Sequence, residues 1–225
     1  MNFLSHFYFE RENPNDFIVM GVLLPDLVKN ADKSWNLNPQ NNPNLYQNIP
    51  AYDSLLTGWK RHLEVDRLFH SSAFFQTQTA ILKQMILPAV QTGPVKAFFL
   101  AHIGLELMLD HLLLSHNLVD VDHLYRQLQV AHSKPLNGFL TLAALPDEQR
   151  FKRFLDDFIS SRYLFRYDNI ESITYSLNRI CMRLWPDPFN EEQLAIMSKK
   201  LVAYKQQLED KFLSIFDEIQ NELNK

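Results

Sequence analysis

One helix constrains this chain more than any other segment. Between Phe98 and Leu114 runs the apolar sequence FFLAHIGLELMLDHLLL, which is interrupted by His102, Glu106, Asp110 and His111. The first three stand four residues apart and therefore share a helical face, and His111 lies beside them. Burying an unpaired carboxylate costs several kcal/mol, so these groups need a partner. The simplest common partner is a divalent cation.

The composition indicates an all-α protein. The chain has 225 residues, of which 46% are hydrophobic and 17 are Phe, enough for a sizeable core. Only 5 Gly and long helical periodicities favour helices over a sheet. We therefore expect a single compact multi-helix domain over residues 1–225. The net charge of -4 gives no support to a nucleic-acid binder, which normally shows a basic excess.

The single cysteine and the N-terminal segment bear on location. Cys181 excludes an internal disulfide and favours a reducing, cytoplasmic compartment. Its apolar helical neighbours favour a buried structural thiol over a nucleophile. The start, MNFLSHFYFERENPNDF, lacks the basic and apolar regions of a secretory signal. A membrane span over 98–114 would place four ionisable groups in lipid, so we predict a buried core helix and no membrane partner.

Caps and breaks divide the chain into a series of helices. DFIVMGVLLPDLVKN predicts a helix that is disturbed at Pro25, with Asp26 at the bend. The Asn- and Pro-rich residues 31–50 predict a long, mobile loop. A break is also predicted at Pro88. Further helices are predicted over about 53–69, 73–87, 95–115, 120–131, 136–144, 147–163 and 168–184, and as one long helix from Asn190 onward.

A second polar constellation lies in the segment HLEVDRLFH. His62, Asp66 and His70 are spaced four apart, so one helical face presents two imidazoles and a carboxylate. Alone, this pattern is more typical of surface salt links. Together with the apolar 98–114 helix it predicts two neighbouring helices that share one metal ion. Mixed imidazole and carboxylate ligands suit Mn, Fe, Zn or Mg. The alternative is a buried hydrogen-bonded network.

Two residues near the N-terminus form a third element. Asp26 is placed to project into a cleft, although Pro-Asp is also an ordinary turn pair. His6, within the apolar NFLSHFYF, is by itself more typical of a core histidine.

The motifs MNFLSH, GVLLPDL, GWKRHLEVD and ELMLDHLL follow one another in this order. Their order and spacing resemble those of the acyl carrier protein phosphodiesterases. The later RYLFRYDNIESITYSLNRI and LEDKFLSIFDEI resemble that family's C-terminal helical regions. The resemblance implies an HD-domain-like helical fold. It also implies Mn-dependent hydrolysis of the phosphodiester that joins 4′-phosphopantetheine to a serine of acyl carrier protein, a reaction of fatty acid biosynthesis and lipid metabolism.

The resemblance also implies roles for individual residues. The metal ligands it implies are His62, Asp66, Asp110, His111 and Asp26. The catalytic residues it implies are Asp26, His111 and His6. Glu106 stands where the family tends to have Asp, and the helical spacing adds His102 and His70 to it as the residues expected to support the ligands. Three positions depart from the family pattern. Lys60 replaces an expected His, His70 replaces an expected acid, and Leu109 replaces an expected Trp.

Basic residues are the candidates for contact with the substrate. Lys60, Arg61 and Arg67 flank the predicted site on its helix and could stabilise a phosphate. Arg162 and Arg166, with Arg179 and Arg183, form a basic strip that could steer an acidic carrier protein. The alternative for each is a solvated charge on a helix face.

Three functional hypotheses therefore remain open. The first is a metal-dependent phosphodiesterase acting on holo-acyl carrier protein, with manganese foremost and iron, magnesium or zinc as alternatives. The second keeps the chemistry but changes the substrate to a nucleotide or another phosphoester. The third is a non-catalytic helical protein whose polar clusters pair inside the core. The sequence leaves the oligomeric state open.

Overall fold

The computed structural model describes all 225 residues, and every regular element in it is helical, which confirms the predicted all-α class. The α-helices are α1 (Phe3–Tyr8), α2 (Asp16–Ala31), α3 (Pro50–Ser71), α4 (Ala73–Val90), α5 (Ala97–Ser115), α6 (Val121–Ala131), α7 (Lys134–Leu142), α8 (Glu148–Ser161), α9 (Ile170–Cys181), α10 (Glu191–Leu208) and α11 (Leu213–Leu223). Short 3-10 helices span Pro39–Asn41, Pro43–Leu45 and Tyr163–Asp168.

The helices group into two compact units. The first unit comprises residues 1–66 and 117–165, and the second comprises residues 67–116 and 166–225. Helix α3 therefore contributes most of its length to the first unit and its last turn to the second. The single domain predicted over residues 1–225 stays a prediction.

Helix α2 lies at the centre of the first unit, where it packs against α1, α6 and α8. Its buried positions are almost continuous from Val19 to Val28, as expected for a helix that is surrounded by others. Aromatic rings join the outer helices, since the ring of Phe158 on α8 lies 5.1 Å from that of Phe3 and 6.1 Å from that of Tyr125.

Helix α5 is the core helix of the second unit and packs against α4 and α9. Helix α10 packs against the same two helices, and the hydroxyl of Tyr204 lies 3.4 Å from the backbone carbonyl oxygen of Gln78. Helix α5 alone is long and apolar enough to meet the criteria for a membrane span, but 61% of that window is buried inside the protein. This burial fits the predicted core helix.

The predicted interruptions at Pro25 and Pro88 are wrong, because both helices continue through their proline. Helix α2 continues through Pro25 to Ala31, and α4 continues through Pro88 to Val90. A proline removes one backbone hydrogen bond, and the buried residues on both sides of it outweigh that loss. Asp26 accordingly lies within α2.

The Asn- and Pro-rich segment is more structured than predicted. It contains two 3-10 turns, and Trp35, Leu37 and Tyr46 are buried. The Tyr46 ring packs 4.8 Å from the ring of Phe139 on α7. Scattered apolar residues therefore anchor a segment whose composition alone indicates a loop.

The predicted C-terminal helix is divided in two. Asn190 caps α10 with a full capping box to Gln193, as its position predicts, but α10 ends at Leu208. The chain turns over residues 209–212 before α11 begins at Leu213. The turn buries Phe212 and Phe216, which gives a physical reason for the break.

Candidate metal centre

Two glycines bring α2 and α3 together next to the candidate site. A Cβ on Gly21 would overlap the backbone carbonyl oxygen of Leu55, and a Cβ on Gly58 would overlap that of Ile18. The backbones of the two helices therefore touch, which only glycine allows at these positions. One helical turn further along, the same contact brings His62 of α3 close to Val22 and Asp26 of α2.

The ring of His62 is held in a defined orientation. Its Nδ1 lies 2.8 Å from the backbone carbonyl oxygen of Val22. A carbonyl only accepts, so Nδ1 carries the hydrogen and Nε2 of the neutral ring carries the lone pair. That Nε2 lies 3.6 Å from Oδ2 of Asp66 and 4.0 Å from Oδ1 of Asp26. His62 thus presents a donor atom to two carboxylates.

His6 on α1 completes the cluster from the other side. Its ring stacks on that of His62 with centroids 3.8 Å apart and planes 16° from parallel. Its Nε2 lies 3.2 Å from Oδ1 of Asp66, but neither ring nitrogen of this fully buried side chain has a hydrogen-bond partner of good geometry. Burial and the neighbouring His62 lower the pKa of His6 to about 4, so its ring is neutral at physiological pH.

Asp66 is the anionic member of the group. Burial raises its pKa, but the adjacent His6 and the amino group of Met1 lower it by more, and the result is a pKa well below the usual range. The Met1 amino group donates to Oδ1 at 2.5 Å. The side chains of Asp66 and Asp26 are 33% and 30% exposed. The cluster is therefore buried on its histidine side and open to solvent on its carboxylate side.

The chemistry of this group fits a divalent cation. One donor atom from each of His6, His62 and Asp66 lies within 4.8 Å of the others. Neutral imidazoles and an ionised carboxylate are the protonation states in which these side chains bind metals. The buried His6, whose ring nitrogens make no hydrogen bond, is the group for which a ligand is most needed.

The three residues predicted to support the ligands form a group of their own in the second unit. Nε2 of His70 lies 3.1 Å from Nε2 of His102 and 3.3 Å from Oε1 of Glu106. The third side, from Nε2 of His102 to the same Oε1, measures 3.1 Å. The spacing of His102 and Glu106 predicts their contact, whereas the approach of His70 depends on the tertiary structure.

Asp110 and His111 belong to neither donor group. Asp110 is fully buried on α5. The Nδ1 of His111 lies 2.7 Å from the backbone carbonyl oxygen of Tyr167, and its buried Nε2 has no hydrogen-bond partner. Burial also lowers the pKa of His111. Their predicted roles as metal ligands, and that of His111 as a catalytic residue, stay predictions.

The predicted substrate-binding cations differ in their surroundings. Lys60, Arg67 and Arg166 are exposed. The Nε of Arg61 lies 3.2 Å from a carboxylate oxygen of Glu10, and Arg162 pairs with Asp122. The charges of these two arginines are therefore partly neutralised within the protein.

Two contributors to the site leave no mark in the sequence pattern. The backbone carbonyl of Val22 orients His62, and the amino group of Met1 binds Asp66. A backbone carbonyl is present in every residue type, and an amino group is present at every chain start. No side-chain pattern therefore marks these two groups. Gly21 and Gly58, isolated glycines inside helices, were the available signal for the close helix contact.

The fold and the site define an all-α protein with a half-buried histidine–aspartate cluster suited to a divalent cation. A family model described as acyl carrier protein phosphodiesterase matches residues 1–219. The chain therefore belongs to the acyl carrier protein phosphodiesterase family, whose name denotes hydrolysis of a phosphodiester. No curated protein and no solved structure matches the chain.

Proposed function

We propose that this protein is a metal-dependent phosphodiesterase that releases 4′-phosphopantetheine from the serine of holo-acyl carrier protein. The observation that carries the proposal is the His6–His62–Asp66 cluster, which lies inside the region that matches the family. Manganese is the cation we favour, and a mixed set of imidazole and carboxylate ligands such as this one accepts it. The proposal places the protein in the cytoplasm, in the lipid metabolism that uses the carrier.

His6, His62 and Asp66 would hold the cation, and Asp26 lies beside them. Asp110 and His111 stay in the proposed set through the resemblance of their Asp-His motif. A divalent cation in such a site neutralises charge on a phosphoryl oxygen and makes a water more acidic. The protein's part is to keep the donors in the required protonation state. Val22 fixes the tautomer of His62, and burial keeps His6 neutral.

Asp26 is the proposed base. Its carboxylate is 30% exposed and lies 4.0 Å from Nε2 of His62, so water reaches it beside the cluster. In the proposed reaction a water oxygen attacks phosphorus and Asp26 accepts one proton from it. The bond from phosphorus to the serine oxygen breaks, and that oxygen takes up the proton that Asp26 accepted, which restores the carboxylate. The products are phosphopantetheine and the unmodified serine.

The exposed cations are the proposed contacts for the carrier. Carrier proteins are acidic, and a basic surface accelerates their association even when the net charge is negative. Lys60 and Arg166 are exposed and serve this proposal best, and Arg67 is exposed on the same helix as Lys60. Arg61 and Arg162 would first have to leave Glu10 and Asp122.

The direct test is to incubate the protein with holo-acyl carrier protein and Mn²⁺ and to follow the carrier by mass spectrometry. We expect a loss of mass equal to phosphopantetheine, which stops on chelation and in Asp66→Asn. The matched control is Asp156→Asn, because Asp156 is also a carboxylate beside a histidine, 3.4 Å from Nδ1 of His132. This control should retain the activity of the unaltered protein.

The other hypotheses predict different results. Hydrolysis of a nucleotide or model phosphodiester with an unchanged carrier would support a different substrate. No hydrolysis and no bound metal, with loss of stability in Asp66→Asn and Asp110→Ala, would indicate a buried structural network. Either result would contradict the proposed activity.

A further inference from the structure

The second donor group consists of His70, His102 and Glu106, and its geometry is one that hydrogen bonds alone do not require. Three atoms, Nε2 of His70, Nε2 of His102 and Oε1 of Glu106, form a triangle with sides of 3.1, 3.3 and 3.1 Å. A neutral imidazole carries one hydrogen, on one of its two nitrogens, and an ionised carboxylate carries none. The two Nε2 atoms and Oε1 therefore have at most two hydrogens with which to bond one another. A cation at the centre of the donors would satisfy all three lone pairs.

The sides of the triangle match the spacing of ligands around a metal ion. For a metal–ligand distance of about 2.1 Å, neighbouring donors lie about 3.0 Å apart in an octahedral site and about 3.4 Å apart in a tetrahedral one. The observed sides of 3.1 to 3.3 Å lie between these values. The donors are thus already spaced as they would be on one face of a coordination shell.

Rigid elements hold the donors in place. His102 and Glu106 stand one turn apart on α5, and His70 lies in the last turn of α3, within the same unit. The ring of Phe75 on α4 lies 5.0 Å from each of the two histidine rings, edge-on to both. This shared aromatic contact restricts both imidazoles, which lowers the entropy that would be lost on binding an ion.

The group is accessible from solvent. The side chains of His70 and His102 are 34% and 40% exposed, while that of Glu106 is 11% exposed. His102 also lines an adjoining cleft of ≈ 240 Å³, together with Phe75, Lys83 and Phe98. An ion held by three protein donors would therefore keep further positions open to water or to a small ligand.

We propose that His70, His102 and Glu106 form a second divalent-cation site that takes a transition metal such as Zn²⁺ or Fe²⁺. Two imidazoles and one carboxylate favour these ions over Mg²⁺ and Ca²⁺, which prefer oxygen ligands. The bound ion ties the last turn of α3 to α5. The site shares no ligand with the His6–His62–Asp66 cluster and does not depend on the proposed activity.

The protein contains a matched pair for comparison. His116 and Glu209 lie 3.0 Å apart, and the His116 side chain is 40% exposed, the same fraction as in His102. Both histidines lie in the second unit. The pair has one imidazole and one carboxylate but is not part of a three-donor group. It separates a metal site from an ordinary histidine–glutamate contact.

The test measures Zn²⁺ binding by calorimetry in chelator-treated protein. The protein carries Asp66→Asn, which removes a ligand from the His6–His62–Asp66 cluster (the first cluster) and so disables it. We expect one Zn²⁺ per chain and a rise in Tm on adding it. His102→Ala or His70→Ala in this background should weaken Zn²⁺ binding by about 100-fold or more and remove the rise in Tm. His116→Ala should leave both unchanged.

Far-UV circular dichroism checks that each variant is folded, and the half-exposed histidines can be replaced without opening the core. Equal Zn²⁺ affinity in His102→Ala, His70→Ala and His116→Ala would overturn the proposal. Absence of Zn²⁺ binding in the folded Asp66→Asn protein would do the same. Neither result bears on hydrolysis of the carrier, which the mass assay measures in the otherwise unaltered protein.

Discussion

The imidazole rings of His6 and His62 stack at a centroid distance of 3.8 Å, and both side chains are buried. Two stacked imidazolium cations would repel each other in this enclosed place, so the pair disfavours protonation. Burial and the neighbouring His62 lower the pKa of His6, so the lone pair of the His6 ring stays available beside Asp66. This relationship makes the His6–His62–Asp66 cluster chemically suited to a cation and sensitive to acid.

Stability should fall when His6 is forced to take up a proton. Its pKa is lowered from 6.5 to about 4 in the folded protein, so only the unfolded chain binds the proton between these values. The contribution of His6 to stability is therefore complete above pH 6.5 and is lost as the pH falls toward 4, by about 3 kcal/mol. Urea unfolding at pH 7.5 and 4.5, in chelator, measures this loss.

The comparison that isolates His6 is with His6→Gln, which cannot titrate. His111 has a pKa lowered by burial and contributes to the same window in both proteins. The difference in unfolding free energy between the two pH values should therefore be smaller in His6→Gln. An equal difference in the two proteins would contradict this, because it would mean that His6 takes up its proton as readily in the folded protein as in the unfolded chain.

Gly58→Ala should separate α2 from α3. The added methyl group would meet the backbone of Ile18 and Gly21, which cannot move aside as a flexible side chain can. We expect a destabilisation of about 3 kcal/mol and a loss of metal affinity at the first cluster. Gly104→Ala is the control, because its Cβ would lie 3.1 Å from a flexible atom of Leu82. Thermal unfolding of the two variants tests the difference.

Cys181 should be slow to react in the folded protein. The thiol is buried, as its apolar neighbours predict, and burial raises its pKa to about 11. Since the thiolate is the reactive form, labelling with a disulfide reagent at pH 8 should be slow in buffer and rapid in urea. Equal rates in the two conditions would mean that α9 opens readily. No activity should depend on this residue.

The helical content and most helix positions followed from the sequence. Apolar periodicity placed α5 and α6 almost to the residue, and Asn190 marked the start of α10. The errors occurred at Pro25 and Pro88 and at the turn before Phe212, where buried contacts outweighed local preference. Local signals describe one helix at a time, so they do not include the stabilisation that neighbouring helices add.

The sequence by itself determined which donors each helix carries, since the four-residue spacing aligns His62 with Asp66 and His102 with Glu106. Only the tertiary structure decided which donor joins each pair. His6 reaches the first pair from α1, and His70 reaches the second from the last turn of α3. The reason is that side-chain spacing within a helix is set by its pitch, whereas contacts between helices are set by packing. In the first cluster, that packing depends on the absence of two Cβ atoms, at Gly21 and Gly58.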